Sequence, residues 1–177
     1  MATEKILAEP ICKEVHRDHN LNTAIATSTR GAHWLGFAMA TMTDSERDDF
    51  LSERRLGNLA ISRPDRGPLI APIWYQYTPG GTIDICMGGS SAKALALGRA
   101  GRASMLVSDE GRPYRYVSVE GPVSISLLGD SAKATIQAMA TRYLGERAGA
   151  GYAEAFSTPD EVIVRLAPKH WRTEVLG

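Results

Sequence analysis

Residues 58–87, NLAISRPDRGPLIAPIWYQYTPGGTIDICM, decide the architecture. Over 58–63, Leu59 and Ile61 alternate with small or polar neighbours, the period-2 pattern of a half-buried strand. Pro64-Asp65-Arg66-Gly67 then reads as a turn, because proline fixes φ and glycine supplies a permissive backbone. Residues 69–77 form a long β-rich run holding Ile70, Ile73, Trp74, Tyr75 and Tyr77. Thr78-Pro79-Gly80-Gly81 turns the chain again, and 82–87 read as a third strand. Connections this short join antiparallel neighbours, so a three-stranded meander is expected.

Further along, Ser90 or Ser91 caps a short helix through Ala92, Lys93, Leu95 and Leu97 that stops near Gly101. Residues 103–108 read as a strand and Asp109–Pro113 as a turn. Residues 114–126 form a long strand, bent or bulged at Gly121-Pro122, since proline cannot donate to a ladder. Asp130 or Ser131 caps a helix with Ile136, Met139, Ala140, Tyr143 and Leu144 on one face. Strands at 161–166 and 171–175 close the pattern.

Upstream, Thr43-Asp44-Ser45-Glu46 is a capping box opening a helix over 44–55. That helix is acidic early and basic late, with Arg54 and Arg55 before the stop at Gly57. Residues 1–41 keep neither a 3.6 nor a 2 period and read as an N-terminal extension with room for a short helix. The domain proper spans 42–177. The fold class is mainly β: a closed or nearly closed antiparallel barrel of six or seven strands with three or four helices.

Composition narrows the function classes. The 177 residues are 44% hydrophobic and 23% charged, an ordinary globular balance that excludes disorder. Lys+Arg and Asp+Glu are 20 each, so the basic excess of a nucleic-acid surface is missing. The longest apolar stretch, Trp34 to Met42, is about half of the roughly twenty residues a membrane span needs. The N-terminus MATEKILAEP carries Glu4 and Glu9 in place of a charged-then-apolar leader, which points to the cytoplasm. Cys12 and Cys86 lie far apart and make neither a disulfide framework nor a zinc site.

Most chemical signatures fail. His16 and His19 are three apart but lack a third ligand, so no metal site is expected. No GxSxG, HExxH or GxxxxGK[ST] pattern occurs. Asp44, Asp48 and Asp49 suit a solvated helix start, and Cys86 a small buried strand residue. One segment is suggestive: Met87-Gly88-Gly89-Ser90-Ser91-Ala92-Lys93. A strand ends, glycines permit close approach, serines offer hydroxyls, and helix amides point outward toward anions. Lys93 stands in the first turn, where the helix dipole disfavours a cation unless an anion is nearby. A capped helix with an exposed lysine satisfies the same pattern.

From about Thr43 to Gly177 the chain resembles the pyridoxamine 5′-phosphate oxidase-like superfamily of split β-barrel flavin and deazaflavin proteins. The resemblance lies in FLSERRLGNLAISRPDRGPLIAPIWY, the strand–SSAK–helix unit, RPYRYVSVEGPVSI and the terminal LAPKHWRTEVLG, in the family's order. It implies an FMN-binding-type split barrel, and a homodimer with two cofactor sites at its interface. The cofactor phosphate would sit on Ser91, Ala92 and Lys93. The ring would lie along Ile70, Ala71, Pro72, Ile73 and Trp74, facing the Pro72 and Ile73 backbone. The strand carrying Arg115, from the partner subunit, would help build the site.

FMN-dependent members carry an Arg and a Lys in the second strand, where this chain has Ile70 and Tyr75. A guanidinium–phosphate fork is a strong contact that isoleucine cannot replace. The resemblance therefore points to the branch using the deazaflavin coenzyme F420, with FMN as the alternative. The phospholactyl-oligoglutamate tail of that coenzyme suits spread cations, for which Arg54, Arg55, Arg99, Arg102, Arg112 and Arg115 are candidates. The implied activity is hydride transfer between the deazaflavin and a small conjugated organic molecule, with Tyr75, Tyr114, Tyr116 or Arg115 as polar groups near it. An FMN-dependent oxidoreductase and a non-catalytic flavin- or deazaflavin-binding protein are the competing readings.

Overall fold

A computed structural model describes residues 39–177. Of the extension read over 1–41, residues 1–38, with His16, His19 and Cys12, lie outside the described residues, and Met39 and Ala40 pair with the last strand of the chain. The strands are β1 (Met39–Ala40), β2 (Gly57–Arg63), β3 (Arg66–Ile73), β4 (Gln76–Tyr77), β5 (Ile83–Gly88), β6 (Arg102–Asp109), β7 (Tyr114–Leu127), β8 (Glu161–Leu166) and β9 (His170–Leu176). The helices are α1 (Asp44–Ser52), α2 (Ala92–Ala100), α3 (Ala132–Leu144) and α4 (Glu146–Phe156).

All pairings are antiparallel, in the order β3-β2-β6-β7-β8-β5-β4. The two ends of this path, β3 and β4, are consecutive in the chain and part at Trp74 and Tyr75. No ladder joins them, so the barrel is split rather than closed. The continuous strand expected over 69–77 is thus two strands with a seam between them.

β7 makes the split geometry possible. One edge pairs with β6 from Arg115 to Pro122. The other pairs with β9 up to Glu120 and with β8 from Val123 onward. The change of partner falls at the expected Gly121-Pro122 bend. A Cβ on Gly121 would lie 1.9 Å from the Ala167 carbonyl oxygen, so only glycine admits the β8–β9 connection here. That connection is pinned by Ala167 N–H donating to Pro122 O and Lys169 N–H to Glu120 O, both at 2.9 Å.

The core follows from the alternation. Leu59, Ile61, Ile83, Ile85, Met105, Val107, Val117 and Leu166 point inward and are fully buried, joined by Leu97 from α2 and by Phe50 and Leu51 from α1. Each such side chain contributes about 1.5–3 kcal/mol by leaving water. Tyr75 and Tyr77 are buried within the single chain. Neither ring needs a second subunit to cover it.

The α1 capping box forms as expected: Thr43 N–H donates to Glu46 Oε2 at 2.8 Å and Glu46 N–H to Thr43 Oγ1 at 3.3 Å. The helix ends at Ser52, short of 55, and no basic residue occupies its last turn. Arg54 and Arg55 have other partners: Arg54 donates to Tyr143 O at 3.1 Å, and Arg55 pairs with Asp109 at 3.0 Å. Ser91 is the cap of α2, accepting from Ala94 N–H at 3.2 Å. A 3₁₀ turn, Gly129–Ser131, leads into α3 without the expected side-chain cap bond.

Helix α4 has no counterpart in the sequence reading. Gly149 and Gly151 lower its intrinsic propensity. Gly149 is there for packing: a Cβ would come within 2.6–2.8 Å of Thr141 atoms, so its absence lets α4 lie against α3. The resulting α3–α4 hairpin covers one outer face of the barrel.

Candidate functional site

The site lies under that hairpin. Along β8, Val162, Val164 and Leu166 face the barrel core, so Glu161 and Ile163 take the opposite face. Across the ladder they meet Gly88 and Cys86 of β5. Helices α3 and α4 roof this patch with Ile136, Met139, Tyr152 and Phe156. Pro72, Ile73 and Trp74 at the seam form one wall, and Ser91 and Lys93 of α2 form the end. The cavity, open on one side, measures about 470 Å³, within the usual range for a small-molecule site.

Trp74 is fixed from two sides. It stacks on Tyr143 with ring centroids 5.1 Å apart and planes at 8°, and meets Tyr152 at 5.1 Å, tilted by 52°. Tyr152 in turn contacts Phe156 at 4.7 Å. This aromatic wall presents flat apolar surface suited to a planar ring.

The polar end is built by the strand–glycine–serine unit. Gly89 N–H donates to Asp160 O at 2.8 Å, and a Cβ on Gly89 would lie 2.6 Å from that oxygen. Ser90 donates to the Asp160 carboxylate from its backbone N–H at 3.2 Å and its hydroxyl at 2.9 Å. These contacts hold the Asp160 carboxyl below its usual range, the Thr158 hydroxyl contributing most. Part of the anion-binding capacity of this turn is therefore used by the chain's own Asp160. Ser91 Oγ accepts from Ala94 and retains its own proton to donate. Lys93 forms no ion pair with any described residue. Among the described residues it is the one cation lining the cavity.

Of the residues singled out from the sequence, the structure brings Pro72, Ile73, Trp74, Ser91 and Lys93 to one cavity. Five others lie elsewhere. Ile70 is 66% exposed on the outer face of β3, and Ala71 takes the other face of that strand. Ala92 borders a separate cleft of about 280 Å³ between α2 and the β2–β3 hairpin, lined also by Arg63, Arg66 and Arg99. Arg115 sits over the Phe50 ring, paired with Asp109 at 2.9 Å. Tyr75, read as standing in a cation position, is 0% exposed and donates its hydroxyl to Leu51 O at 3.0 Å. It points into the core, where burial pushes its phenol pKa upward.

The candidate tail cations divide similarly. Arg55, Arg102 and Arg115 are in ion pairs. Arg54 is bonded to Tyr143 O, and Arg112 lies 5.8 Å from the Tyr114 ring centroid. Arg99 alone of the six borders a cleft beside α2.

The sequence reading missed Cys86, Met139, Tyr152, Phe156 and Glu161 as cavity residues. Tyr152 and Phe156, four apart, were the available sign of a helix face there. Burial pushes the Cys86 thiol up to about 11, with Glu161 and Asp84 adding to the shift, so it is not a ready nucleophile. Among the described residues no cluster of metal-ligating side chains occurs, and no helix is long and apolar enough to cross a membrane.

No family model and no curated protein matches the chain. Solved structures do. A conserved hypothetical protein from Mycobacterium tuberculosis is 28% identical over 75% of this chain and 84% of its own, with a TM-score of 0.62. A protein described as an F420 reductase is 24% identical over 71% of this chain and 94% of its own, with a TM-score of 0.57. A putative pyridoxamine 5′-phosphate oxidase from Listeria innocua is 14% identical over 73% of this chain and 96% of its own, also at 0.57. The likeness is one of fold: with its unclosed barrel and bent β7, this chain is a split β-barrel like the structures it resembles.

Proposed function

We propose that the cavity binds coenzyme F420 in preference to FMN, and that the protein is an oxidoreductase acting on a small conjugated organic molecule. The observation that carries this is the arrangement around Lys93: a single unpaired ammonium and a free serine proton end a cavity whose sides are flat and apolar. Ile73 and Trp74 and the α3–α4 roof would hold the ring, and Ser91 and Lys93 the phosphate. A bound deazaflavin supplies two electrons as a hydride; the chain supplies orientation and exclusion of water.

Charge supports the deazaflavin over FMN. A phosphomonoester carries a charge near −2 at neutral pH and is best met by a guanidinium fork. A phosphodiester carries one charge, which one lysine matches. The cleft with Arg63, Arg66 and Arg99 lies on the other side of α2 and offers cations to a polyanionic tail. The F420 reductase neighbour is in keeping with this reading.

We further propose a homodimer through the outer face of β3, β2 and β6. Ile70 and Leu106 are 66% and 39% exposed there, beside Asn58, Ala60 and Ser104.

Parallel fluorescence titrations with coenzyme F420 and FMN test the cofactor. At least tenfold tighter binding of F420, a gap of about 1.4 kcal/mol, is the expected result. Equal or tighter FMN binding transfers the reading to an FMN-dependent oxidoreductase. Tight binding without turnover of any conjugated acceptor makes the protein a binding module.

A further inference from the structure

Glu161 is the one charged or polar residue that is buried among the described residues, at 8% exposure, and it lines the cavity. Its backbone is fixed: Glu161 N–H donates to Thr158 O at 3.2 Å and its carbonyl accepts from Leu128 N–H at 2.9 Å. Its carboxyl is poorly served. The Thr158 hydroxyl lies 3.3 Å from Oε1 but 2.7 Å from Asp160 Oδ1, and its one proton goes to the nearer oxygen. No described cation lies within ion-pair distance, Lys93 included. Directly across the ladder is Gly88, where a Cβ would meet nothing within 4 Å. The carboxyl therefore adjoins open space.

Taking a carboxylate with neither cation nor good donor out of water is costly, which shifts the balance toward the protonated form. Burial and the adjacent Asp160 both push the Glu161 pKa above its ordinary value, with Thr158 opposing. A neutral carboxylic acid presents one O–H donor and one carbonyl acceptor side by side. That pair matches a cis-amide or imide edge, which offers C=O and N–H in the same spacing. Flavins and deazaflavins both carry such an edge on their pyrimidinedione ring.

We propose that Glu161 is a specificity-determining residue that recognises the imide edge of the bound ring through a paired donor and acceptor. The inference rests on the cofactor reading above and assigns a residue to it. Each molecule in which Glu161 is protonated adds no repulsion toward an anionic group at Lys93.

The test uses two ligand pairs, coenzyme F420 with its N3-methyl derivative and FMN with 3-methyl-FMN, titrated by fluorescence into the full chain. Methylation removes the ring N–H. The wild type should bind each parent about tenfold or more tightly than its methylated partner, as sites built to read an N–H do. Glu161→Gln, which keeps a donor and an acceptor, should retain that ratio. Glu161→Ala should bring the ratio close to one while its circular dichroism and melting remain those of a folded protein. Equal binding of parent and methylated ring by the wild type overturns the assignment and leaves the cofactor reading standing. A ratio unchanged in Glu161→Ala overturns it too. Failure of the wild type to bind either parent overturns both.

Discussion

The Tyr143 hydroxyl stands 3.0 Å from both the amide nitrogen and the carbonyl oxygen of Tyr75. A third contact, to Arg55 O, is also 3.0 Å. Tyr75 lies at the seam where β3 and β4 part, so its backbone groups have no strand partner. One side chain from α3 replaces the missing ladder: it accepts from Tyr75 N–H and shares its proton between two carbonyls. The same ring stacks on Trp74, tying the seam and the cavity wall to the α3–α4 hairpin.

Tyr143→Phe should therefore keep the stack and lose the hydroxyl. Leaving these backbone groups short of a partner should cost about 1–3 kcal/mol. Urea denaturation followed by tryptophan emission measures it. Unchanged stability would mean that water serves the seam as well as the tyrosine does.

Gly121→Ala should be the most damaging small change in the barrel. Its Cβ would lie 1.9 Å from Ala167 O, so the β8–β9 connection must move and strain its hydrogen bonds to β7. A loss of about 3 kcal/mol, the upper end of overpacking costs, is expected in equilibrium unfolding. A loss below 0.5 kcal/mol would show that the bend at Gly121-Pro122 is soft.

Asp109 is held well below its ordinary 3.8, at about 2, by Gly111 N–H first and then by Arg115 and Arg55. A depressed carboxyl pKa stabilises the fold above the unfolded value and loses that contribution as pH falls through the folded one. The wild type should thus lose stability between about pH 4 and pH 2. Asp109→Asn should be less stable at pH 7, with Arg55 and Arg115 left side by side over Phe50, and should flatten that acid limb. Thermal melts across the range check both; parallel curves for the two proteins would remove Asp109 as the cause.

Lys93→Ala should weaken phosphate-bearing ligands ten- to a hundredfold, the loss of one charge-assisted contact of about 1.5–3 kcal/mol. Its melting temperature should be unchanged, because the side chain pairs with no described residue. Calorimetric titration with unaltered affinity would reduce the Ser-x-Lys turn to a helix cap.

Sedimentation at micromolar concentration should show a dimer, and Ile70→Asp should shift it to monomer. Ile70 is exposed and clear of the cavity, so ligand binding per folded chain need not fall through lost contacts there. A monomeric wild type would dismiss the proposed face.

What the amino-acid order determined by itself is what short-range physics controls. The Thr43–Glu46 box, the turns at Pro64 and Gly80, the alternation of Leu59 with Ile61, and the bend at Gly121-Pro122 all depend on neighbours a few residues away. So does the strand–SSAK–helix unit, which is why Ser91 and Lys93 were readable as an anion end. The seam was not readable. Residues 69–77 have β propensity throughout, and what breaks them at Trp74 and Tyr75 is a hydroxyl 68 positions away in sequence. Helix α4 was hidden because Gly149 trades local propensity for close approach to Thr141 on another helix. Tyr75 looked like a site residue because strand alternation across an unseen break cannot tell which face it takes. Glu161 carries no local mark at all: its burial comes from α3 and α4 folding over β5 and β8. Only the tertiary structure places an acid, a lysine and an aromatic wall around one cavity, because each arrives on a different element.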